Sequence, residues 1–274
     1  HPYQEAVTSS ERTGAKGALS ALYFLRTAHT YGMCFLHFGE KRYHRDMPRP
    51  VAVFDIDGTL FRSSLFIELV ERLVDRGLLP KAVRDAYADA KEDWLDRRGD
   101  YDTYVERMIA AFRANLKGVS YEEVAYLAGE IVEEKKNRLY RYTRDLVRDL
   151  KAKGYFLLAI SHSPRFIVEG FGHELGFDKV YGFFYETGPS GNFTGNVEDL
   201  DLIRNKAAVL ERAVRKAGLT LEGSIGVGDT ESDIPMLELV EIPIAFNPNK
   251  KLFEHAQARG WRTVVERKDV IYEI

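Results

Sequence analysis

Two aspartates, Asp55 and Asp57, follow directly after the apolar run at residues 51–54. That run is rich in β-branched and aromatic side chains, which predicts a buried parallel strand. Ligands of an open α/β sheet bind at the carboxyl ends of its strands. Two carboxylates exposed at such an edge could hold a hard cation and attack a phosphorus centre together. An acidic turn with no chemical role is the alternative, because Asp-Gly is a common turn pair.

Two other interpretations of the acidic and glycine-containing segments fail on spacing. A calcium loop starting at Asp55 needs glycine at position 6 and a bidentate acid at position 12, where Leu60 and Phe66 stand. The glycines within residues 226–228 begin a dinucleotide fingerprint, but Glu231 replaces the third glycine that this fingerprint requires. We therefore expect neither an EF-hand nor a dinucleotide site.

Three further segments carry polar residues in a known order. Ser161 follows an apolar run, and Lys206 opens a helical pattern. Asp229 and Asp233 follow another short apolar run with the spacing GDxxxD. Together with the DxDGT segment described above, they resemble the four motifs of the haloacid dehalogenase-like (HAD) phosphohydrolases. The matched motifs span most of residues 48–250, and the two aspartate motifs carry most of the resemblance.

The resemblance implies a role for each of these residues. Asp55 is the nucleophile that forms an aspartyl-phosphate, and Asp57 protonates the leaving group and later activates water. The phosphoryl oxygens are held by Ser161, Lys206, Gly58 and Thr59. Mg²⁺ prefers octahedral oxygen ligation and keeps several waters, so few protein ligands are expected. These ligands are Asp55, Asp57 through its backbone carbonyl, and Asp229, with Asp233 as a further ligand or a neighbour.

The second aspartate separates the chemistries of the resembled family. Dehalogenases and P-type ATPases lack the acid that Asp57 provides. Asp57 therefore favours transfer of a phosphoryl group to water, by a Mg²⁺-dependent phosphomonoesterase acting on a small phosphorylated metabolite. A phosphotransferase would keep the same pair of aspartates and stays an alternative.

Residues 63–143 lack strand alternation and predict four helices. The residues that end the first three are Gly77 with Pro80, Gly99, and Gly118. Ser120 and Glu123 form a capping box that opens the fourth. An all-helical insertion after the first motif resembles the C1 cap of the phosphoserine-phosphatase-like branch (subfamily IB), where the cap closes over the substrate.

Helix and strand patterns alternate beyond this insertion. Strands are predicted at residues 155–160, 224–227 and 242–246, helices at 145–153, 164–175, 206–216 and 252–259, and a hairpin at 180–197. This alternation predicts an α/β fold with a doubly wound, mainly parallel, Rossmann-like sheet. The predicted organisation is an N-terminal helical extension (1–47), a core in two parts (48–62 and 144–274) and a helical cap (63–143).

Residues that could recognise the substrate lie beside the motifs. His162 and Arg165 follow the predicted phosphate-binding serine, and Arg62 stands at the start of the cap. Phosphoserine phosphatases of the resembled branch carry a glutamate nine residues after the nucleophile, which meets the ammonium group of the substrate. Ser64 occupies that position here, and the nearest acid is Glu68, one helical turn further on. This departure argues against phosphoserine as the substrate.

Composition limits the partners. The 274 residues carry a formal net charge of −3, so we expect no nucleic-acid partner. Residues 18–38 are apolar but contain Arg26, whose burial in a bilayer costs about 2.5–3.5 kcal/mol, so a spanning helix is not expected. A helix packed on its own core is preferred, with a homodimer contact or a peripheral membrane contact as alternatives. The single cysteine, Cys34, lies in this stretch as an expected core residue, and it is compatible with a reducing, cytoplasmic location.

A second class of function is a low-turnover scaffold of the same fold that binds a partner or a membrane through residues 1–47. The complete set of motif residues argues against this alternative, because a site that has lost its chemistry has usually lost at least one of them.

Overall fold

The computed structural model describes residues 48–198 and 200–274. The predicted N-terminal helical extension, the apolar stretch at residues 18–38 and Cys34 all lie outside the described residues. None of the helices in the described ranges is both long enough and apolar enough to cross a membrane.

One sheet organises the described residues. Its strands are β1 (Pro50–Phe54), β2 (Phe156–Pro164), β3 (Lys179–Thr187), β4 (Phe193–Glu198), β5 (Thr220–Gly228), β6 (Ile242–Phe246), β7 (Arg262–Arg267) and β8 (Val270–Glu273). Their spatial order is β4-β3-β2-β1-β5-β6-β7-β8. The six strands from β3 to β7 run parallel, and β4 and β8 pair antiparallel at the two edges. The predicted doubly wound, mainly parallel sheet is confirmed.

The central strand β1 brings the chemical residues together. Its neighbours are β2 and β5, with Phe54 in register with Ala159 on one side and with Val227 on the other. All three strands run in the same direction, so the residues that follow their carboxyl ends meet at one edge. Every residue of β1 is buried, which explains its continuous apolar sequence.

The first five of the six helices between β1 and β2 are α1 (Leu65–Asp75), α2 (Ala82–Asp85), α3 (Ala88–Leu95), α4 (Tyr101–Leu116) and α5 (Tyr121–Lys135). The sequence predicted four, because the segment between Pro80 and Gly99 was expected to be a single helix. It breaks at Tyr87, which leaves helical geometry (φ −123°, ψ 4°) and buries its ring 5.7 Å from that of Tyr104. Ser120 accepts a hydrogen bond from the Glu123 amide, as expected of the cap that opens α5.

The remaining helices are α6 (Arg141–Ala152), α7 (Arg165–Leu175), α8 (Leu200–Arg204), α9 (Lys206–Ala217), α10 (Ile234–Leu237) and α11 (Lys250–Arg259). They cover both faces of the sheet. Val51 and Val53 share a buried cluster with Leu210 of α9 and Leu252 of α11, whereas Phe54 packs its ring 5.8 Å from that of Phe177, after α7. The sequence missed the closing β7–β8 hairpin and placed the start of α6 four residues too late.

The β3–β4 hairpin is bonded to the helical insertion. The Gly118 amide donates to the Phe193 carbonyl (2.8 Å), and the Phe193 amide donates to the Val119 carbonyl (2.9 Å). The Tyr121 amide adds a bond to the Gly191 carbonyl (3.0 Å). These bonds attach the junction between α4 and α5 to the core at a point outside the two chain connections.

Candidate active site

Three strand ends supply the polar residues of the site. Asp55 follows β1, and its amide extends the ladder by donating to the Val227 carbonyl of β5 (2.9 Å). Ser161 and Ser163 lie near the end of β2, and Asp229 follows β5. The predicted motif residues are therefore gathered at one edge of the sheet.

Lys206 is the buried cation of this edge. It is the first residue of α9, which Asn205 caps by accepting from the Ala208 amide (3.1 Å). Its Nζ lies 2.5 Å from Oδ1 of Asp55 and 2.6 Å from Oδ1 of Asp233, and only 2% of its side chain is exposed. Burial disfavours its charge, but the charges of Asp233 and Asp55 outweigh that cost and raise the pKa of Lys206.

Negative charge exceeds positive charge among these buried groups. Burial raises the pKa of Asp55 to about 7, with the charges of Asp233 and Asp57 adding to the effect and Lys206 opposing it. Burial, followed by the charges of Asp55 and Asp233, raises the pKa of Asp229 well above its usual range. One lysine thus does not balance these carboxylates, and a further cation would stabilise their ionised forms.

Asp57 is held by three donors. Its Oδ1 accepts from the Leu65 amide (2.6 Å), and its Oδ2 accepts from the hydroxyls of Ser161 (2.7 Å) and Ser163 (2.7 Å). Burial raises the pKa of Asp57, and these hydrogen bonds, led by that from Ser163, oppose the rise. The sequence analysis missed Ser163, although residues two apart on a strand share one face.

Asp233 takes a supporting role. Its Oδ1 pairs with Lys206, and its Oδ2 accepts from the amides of Asp229 (3.0 Å) and Thr230 (3.1 Å). It is fully buried. Of the two expected roles, metal ligand or neighbour, these contacts favour the neighbour that orients Lys206 and shapes the loop that carries Asp229.

The turn after Asp57 also differs from expectation. The Gly58 amide, expected at the phosphate, donates to the carbonyls of Phe61 (3.0 Å) and Ser63 (3.1 Å). Thr59 is fully buried, and its hydroxyl donates to Oδ1 of Asp229 (3.2 Å). Both residues shape the site around Asp229, because a Cβ on Gly58 would lie 2.1 Å from Oδ2 of Asp229.

The three residues expected to touch the substrate lie elsewhere. His162 alternates to the opposite face of β2 from Ser161 and stacks on Phe183, with ring centroids 5.6 Å apart. Arg165 is exposed and pairs with Glu169 (2.8 Å). Arg62 is exposed and lies over the ring of Tyr140, 5.7 Å from its centroid. His162 and Arg165 are engaged in these other contacts, and a role of any of the three at the substrate stays a prediction.

Two residues of the insertion bear on substrate recognition. Glu68 forms an ion pair with Lys135, so the negative charge of its carboxylate is already compensated by a neighbouring cation. Tyr101, the first residue of α4, packs its ring 5.2 Å from that of Trp94. The pKa of Tyr101 is raised, first by burial of its phenol and then by the charges of Asp57 and Asp229, although 37% of the residue's surface is exposed. No sequence signal connected Tyr101 with the motifs.

The donor set fits Mg²⁺. Across the described ranges, no three His, Cys, Asp or Glu side chains form a ready metal cage. Mg²⁺ does not require one, because it usually binds through one or two carboxylates and keeps several waters. Asp55 and Asp229 are hard oxygen donors whose pKa values burial raises, so a bound cation would stabilise their ionised forms.

Comparison with known proteins agrees with this geometry. A family model described as haloacid dehalogenase-like hydrolase matches residues 52–238. An inhibition of morphological differentiation protein of Streptomyces azureus is 29% identical over 80% of this chain and 79% of its own length. A histidinol-phosphatase of Neisseria meningitidis serogroup C is 28% identical over 77% and 96%, and a phosphoserine phosphatase of Mycobacterium tuberculosis is 29% identical over 79% and 76%.

The fold also occurs among solved structures. A protein of unknown function from Bordetella pertussis Tohama I superposes with a TM-score of 0.64 and 25% identity, covering 79% of this chain and 98% of that one. The chain therefore belongs to the haloacid dehalogenase-like hydrolases and is a phosphatase of that family, related to the phosphoserine phosphatases.

Proposed function

We propose that the chain is a Mg²⁺-dependent phosphomonoesterase that hydrolyses a small phosphorylated metabolite through an aspartyl-phosphate on Asp55. The observation that carries this proposal is the buried contact between Asp55 and Lys206, with Asp57 two residues along the chain and held by three donors. It joins a nucleophile, a fixed positive charge and an oriented acid at one sheet edge.

In the first step, a carboxylate oxygen of Asp55 attacks the phosphorus atom, and the bond from phosphorus to the leaving oxygen breaks. Asp57 gives its proton to that oxygen, which leaves as an alcohol. Burial favours the protonated acid that this step needs, since it raises the pKa of Asp57. Lys206 holds its charge in contact with Asp55, where charge accumulates on the phosphoryl oxygens.

In the second step, water attacks the aspartyl-phosphate, and Asp57 now takes a proton from that water. The bond between Asp55 and phosphorus breaks, and inorganic phosphate leaves. Asp55, the Asp57 carbonyl and Asp229 would hold Mg²⁺, which when bound neutralises charge on these carboxylates and on the phosphoryl group. Ser161 would donate its hydroxyl hydrogen to a phosphoryl oxygen.

The substrate would enter between the sheet edge and the insertion, so we propose residues 63–143 as the cap and residues 48–62 and 144–274 as the core. Relatives named for phosphoserine and histidinol phosphate suggest a small phosphorylated amine. The pairing of Glu68 with Lys135 argues against a direct copy of ammonium recognition, and we propose Tyr101 and Arg62 as candidates to meet the leaving group. A cytoplasmic location stays part of this proposal.

The test is phosphate release from a panel of phosphorylated amino acids, amino alcohols, sugars and nucleotides, with Mg²⁺ and with EDTA. Wild type is compared with Asp55→Asn and with Asp85→Asn, which changes an exposed aspartate on α2. We expect turnover by wild type and Asp85→Asn only with Mg²⁺, and a loss of at least about 10³-fold in Asp55→Asn. Unchanged turnover in Asp55→Asn contradicts the proposal. Adding an alcohol as acceptor and finding its phosphate ester would instead identify a phosphotransferase.

A further inference from the structure

Two hydroxyls meet on one oxygen of Asp57. Ser161 and Ser163 flank His162 on β2, so strand alternation turns both hydroxyls to the same side. Each donates to Oδ2 of Asp57 at 2.7 Å, and both serines are buried, with 0% and 3% of their surface exposed. The amide of Ser163 in turn donates to the hydroxyl oxygen of Ser161 (2.9 Å). The segment therefore offers Asp57 two donors where one would satisfy the same oxygen.

The duplication matters because a serine hydroxyl has one hydrogen to donate. In the proposed reaction, Ser161 gives that hydrogen to a phosphoryl oxygen. It cannot then donate to Asp57. If Ser161 were the only hydroxyl partner, Oδ2 of Asp57 would lose its hydrogen bond at the moment when Asp57 must protonate the leaving group. Ser163 can keep that bond, since its own hydroxyl is directed at Oδ2.

We propose that Ser163 is a positioning residue for the acid Asp57, which it holds together with the Leu65 amide while Ser161 turns to the phosphoryl group. This proposal rests on the proposed function. It assigns two different tasks to two serines that the sequence places in one short segment. Ser161 would stabilise the transferring group whatever the leaving group is. In the steps up to release of the leaving group, Ser163 would matter only where the leaving oxygen needs a proton.

The test uses two phosphate esters that differ in that need. p-Nitrophenyl phosphate releases a stabilised anion that leaves without a proton, whereas phenyl phosphate releases a more basic oxygen. The measured quantity is kcat/KM, which covers the steps up to release of the leaving group and excludes the later attack of water. The variants are Ser163→Ala, Ser163→Thr and Ser161→Ala. The matched control is Ser224→Ala, which removes a buried hydroxyl bonded to the Leu221 carbonyl on β5.

We expect Ser163→Ala to lose about 10²-fold in kcat/KM for phenyl phosphate and less than about threefold for p-nitrophenyl phosphate. Ser163→Thr, which keeps the hydroxyl, should recover most of the loss. Ser161→Ala should lower both values alike, and Ser224→Ala should leave their ratio unchanged. Circular dichroism and melting curves establish that each variant is folded.

Equal losses for the two esters in Ser163→Ala overturn the proposal, because they indicate a structural role or a phosphate contact. No loss with either ester overturns it as well. These outcomes leave the proposed function intact, since wild type still turns over. A wild type that releases phosphate neither from these esters nor from the metabolite panel overturns the proposed function and, with it, this inference.

Discussion

Replacing Lys206 by methionine removes the positive charge that Asp55 and Asp233 share while keeping most of the buried stem. The lysine nitrogen lies 2.5 Å and 2.6 Å from the two carboxylates, and its side chain is 2% exposed. Water therefore cannot replace it without opening the edge of the sheet. The variant leaves two buried carboxylates facing each other.

The cost follows from the burial of the pair. Removing one partner of a buried ion pair costs about 3–5 kcal/mol, because the remaining charge is uncompensated. The cost must depend on pH. Asp55 already has its pKa raised to about 7 with the lysine present, and losing the lysine raises it further. A carboxyl whose pKa is raised in the folded state contributes most at low pH and loses stability as pH rises through that pKa. The deficit of Lys206→Met should therefore grow between pH 6 and pH 8.5.

The assay is urea unfolding in EDTA, followed by tryptophan fluorescence at several pH values. Lys216→Met, an exposed lysine of the same helix, is the control for loss of charge. Adding Asp233→Asn to Lys206→Met should recover part of the stability, because one buried carboxylate is then neutral. Removing a preorganised charge at the phosphoryl oxygens should also lower kcat by about 10²–10³-fold.

The reasoning is refuted if Lys206→Met stays within about 1 kcal/mol of Lys216→Met at every pH. It is also refuted if the deficit shrinks as pH rises. Either result would mean that the carboxylates do not depend on Lys206 for their compensation.

Three further substitutions test single contacts of the site. Gly58→Ala should weaken Mg²⁺ binding at least about tenfold, since its Cβ would lie 2.1 Å from Asp229. The control Gly77→Ala, with a similar φ of +76° and open space around it, should lose stability but keep Mg²⁺ affinity. Titration calorimetry and melting curves compare the two variants, and equal Mg²⁺ affinity contradicts the account. His162→Gln should keep more of its stability than wild type as pH falls from 6.5 to 4, because burial and then the charge of Lys206 lower the pKa of His162 to about 4. The difference in unfolding free energy between the two proteins should change by about 3 kcal/mol over this range, and parallel pH profiles speak against the account. Tyr101→Phe should raise KM about fivefold with unchanged stability, as the loss of one hydrogen bond to the substrate implies, and an unchanged KM removes Tyr101 from the substrate site.

The doubly wound, mainly parallel sheet and the meeting of the motif aspartates were predictable from the sequence. Asp55 and Asp229 each follow an apolar run, and parallel strands put such residues at one edge. Lys206 was predicted through its resemblance to the third motif of the family, whose lysine also opens a helix. The wide separation of these residues along the chain does not prevent the prediction, because parallel neighbouring strands place the residues that follow them at the same sheet edge.

The contacts of two other residues depend on local geometry that the spacing of residues in the sequence does not reveal. His162 was expected beside the substrate because it adjoins Ser161, yet adjacent residues on a strand face opposite sides. The sequence leaves open whether Asp233 is a metal ligand or a neighbour, and its bonds to Lys206 and to two amides favour the second role.

The β7–β8 hairpin has few sequence features from which it could be predicted. Its turn uses Lys268 at a φ of +56° in place of the glycine or asparagine that normally marks such a turn. Strand β8 has only four residues, Val270–Glu273, and is mostly exposed, so it carries no alternating pattern of a core strand. Tyr101 was missed for a different reason, since nothing in sequence links the start of α4 to the carboxyl ends of β1 and β5.

The measurement that tests the central claim most directly is chemical trapping of the phosphoryl group on Asp55. The enzyme is mixed with Mg²⁺ and a phosphate ester that it hydrolyses, and the reaction is quenched in acid. The protein is then reduced with borohydride and its modified residue is located by mass spectrometry. Borohydride converts an aspartyl-phosphate to homoserine, so we expect homoserine at residue 55 in wild type and none in Asp55→Asn. Homoserine at another aspartate, or rapid turnover with unmodified Asp55, would contradict the account.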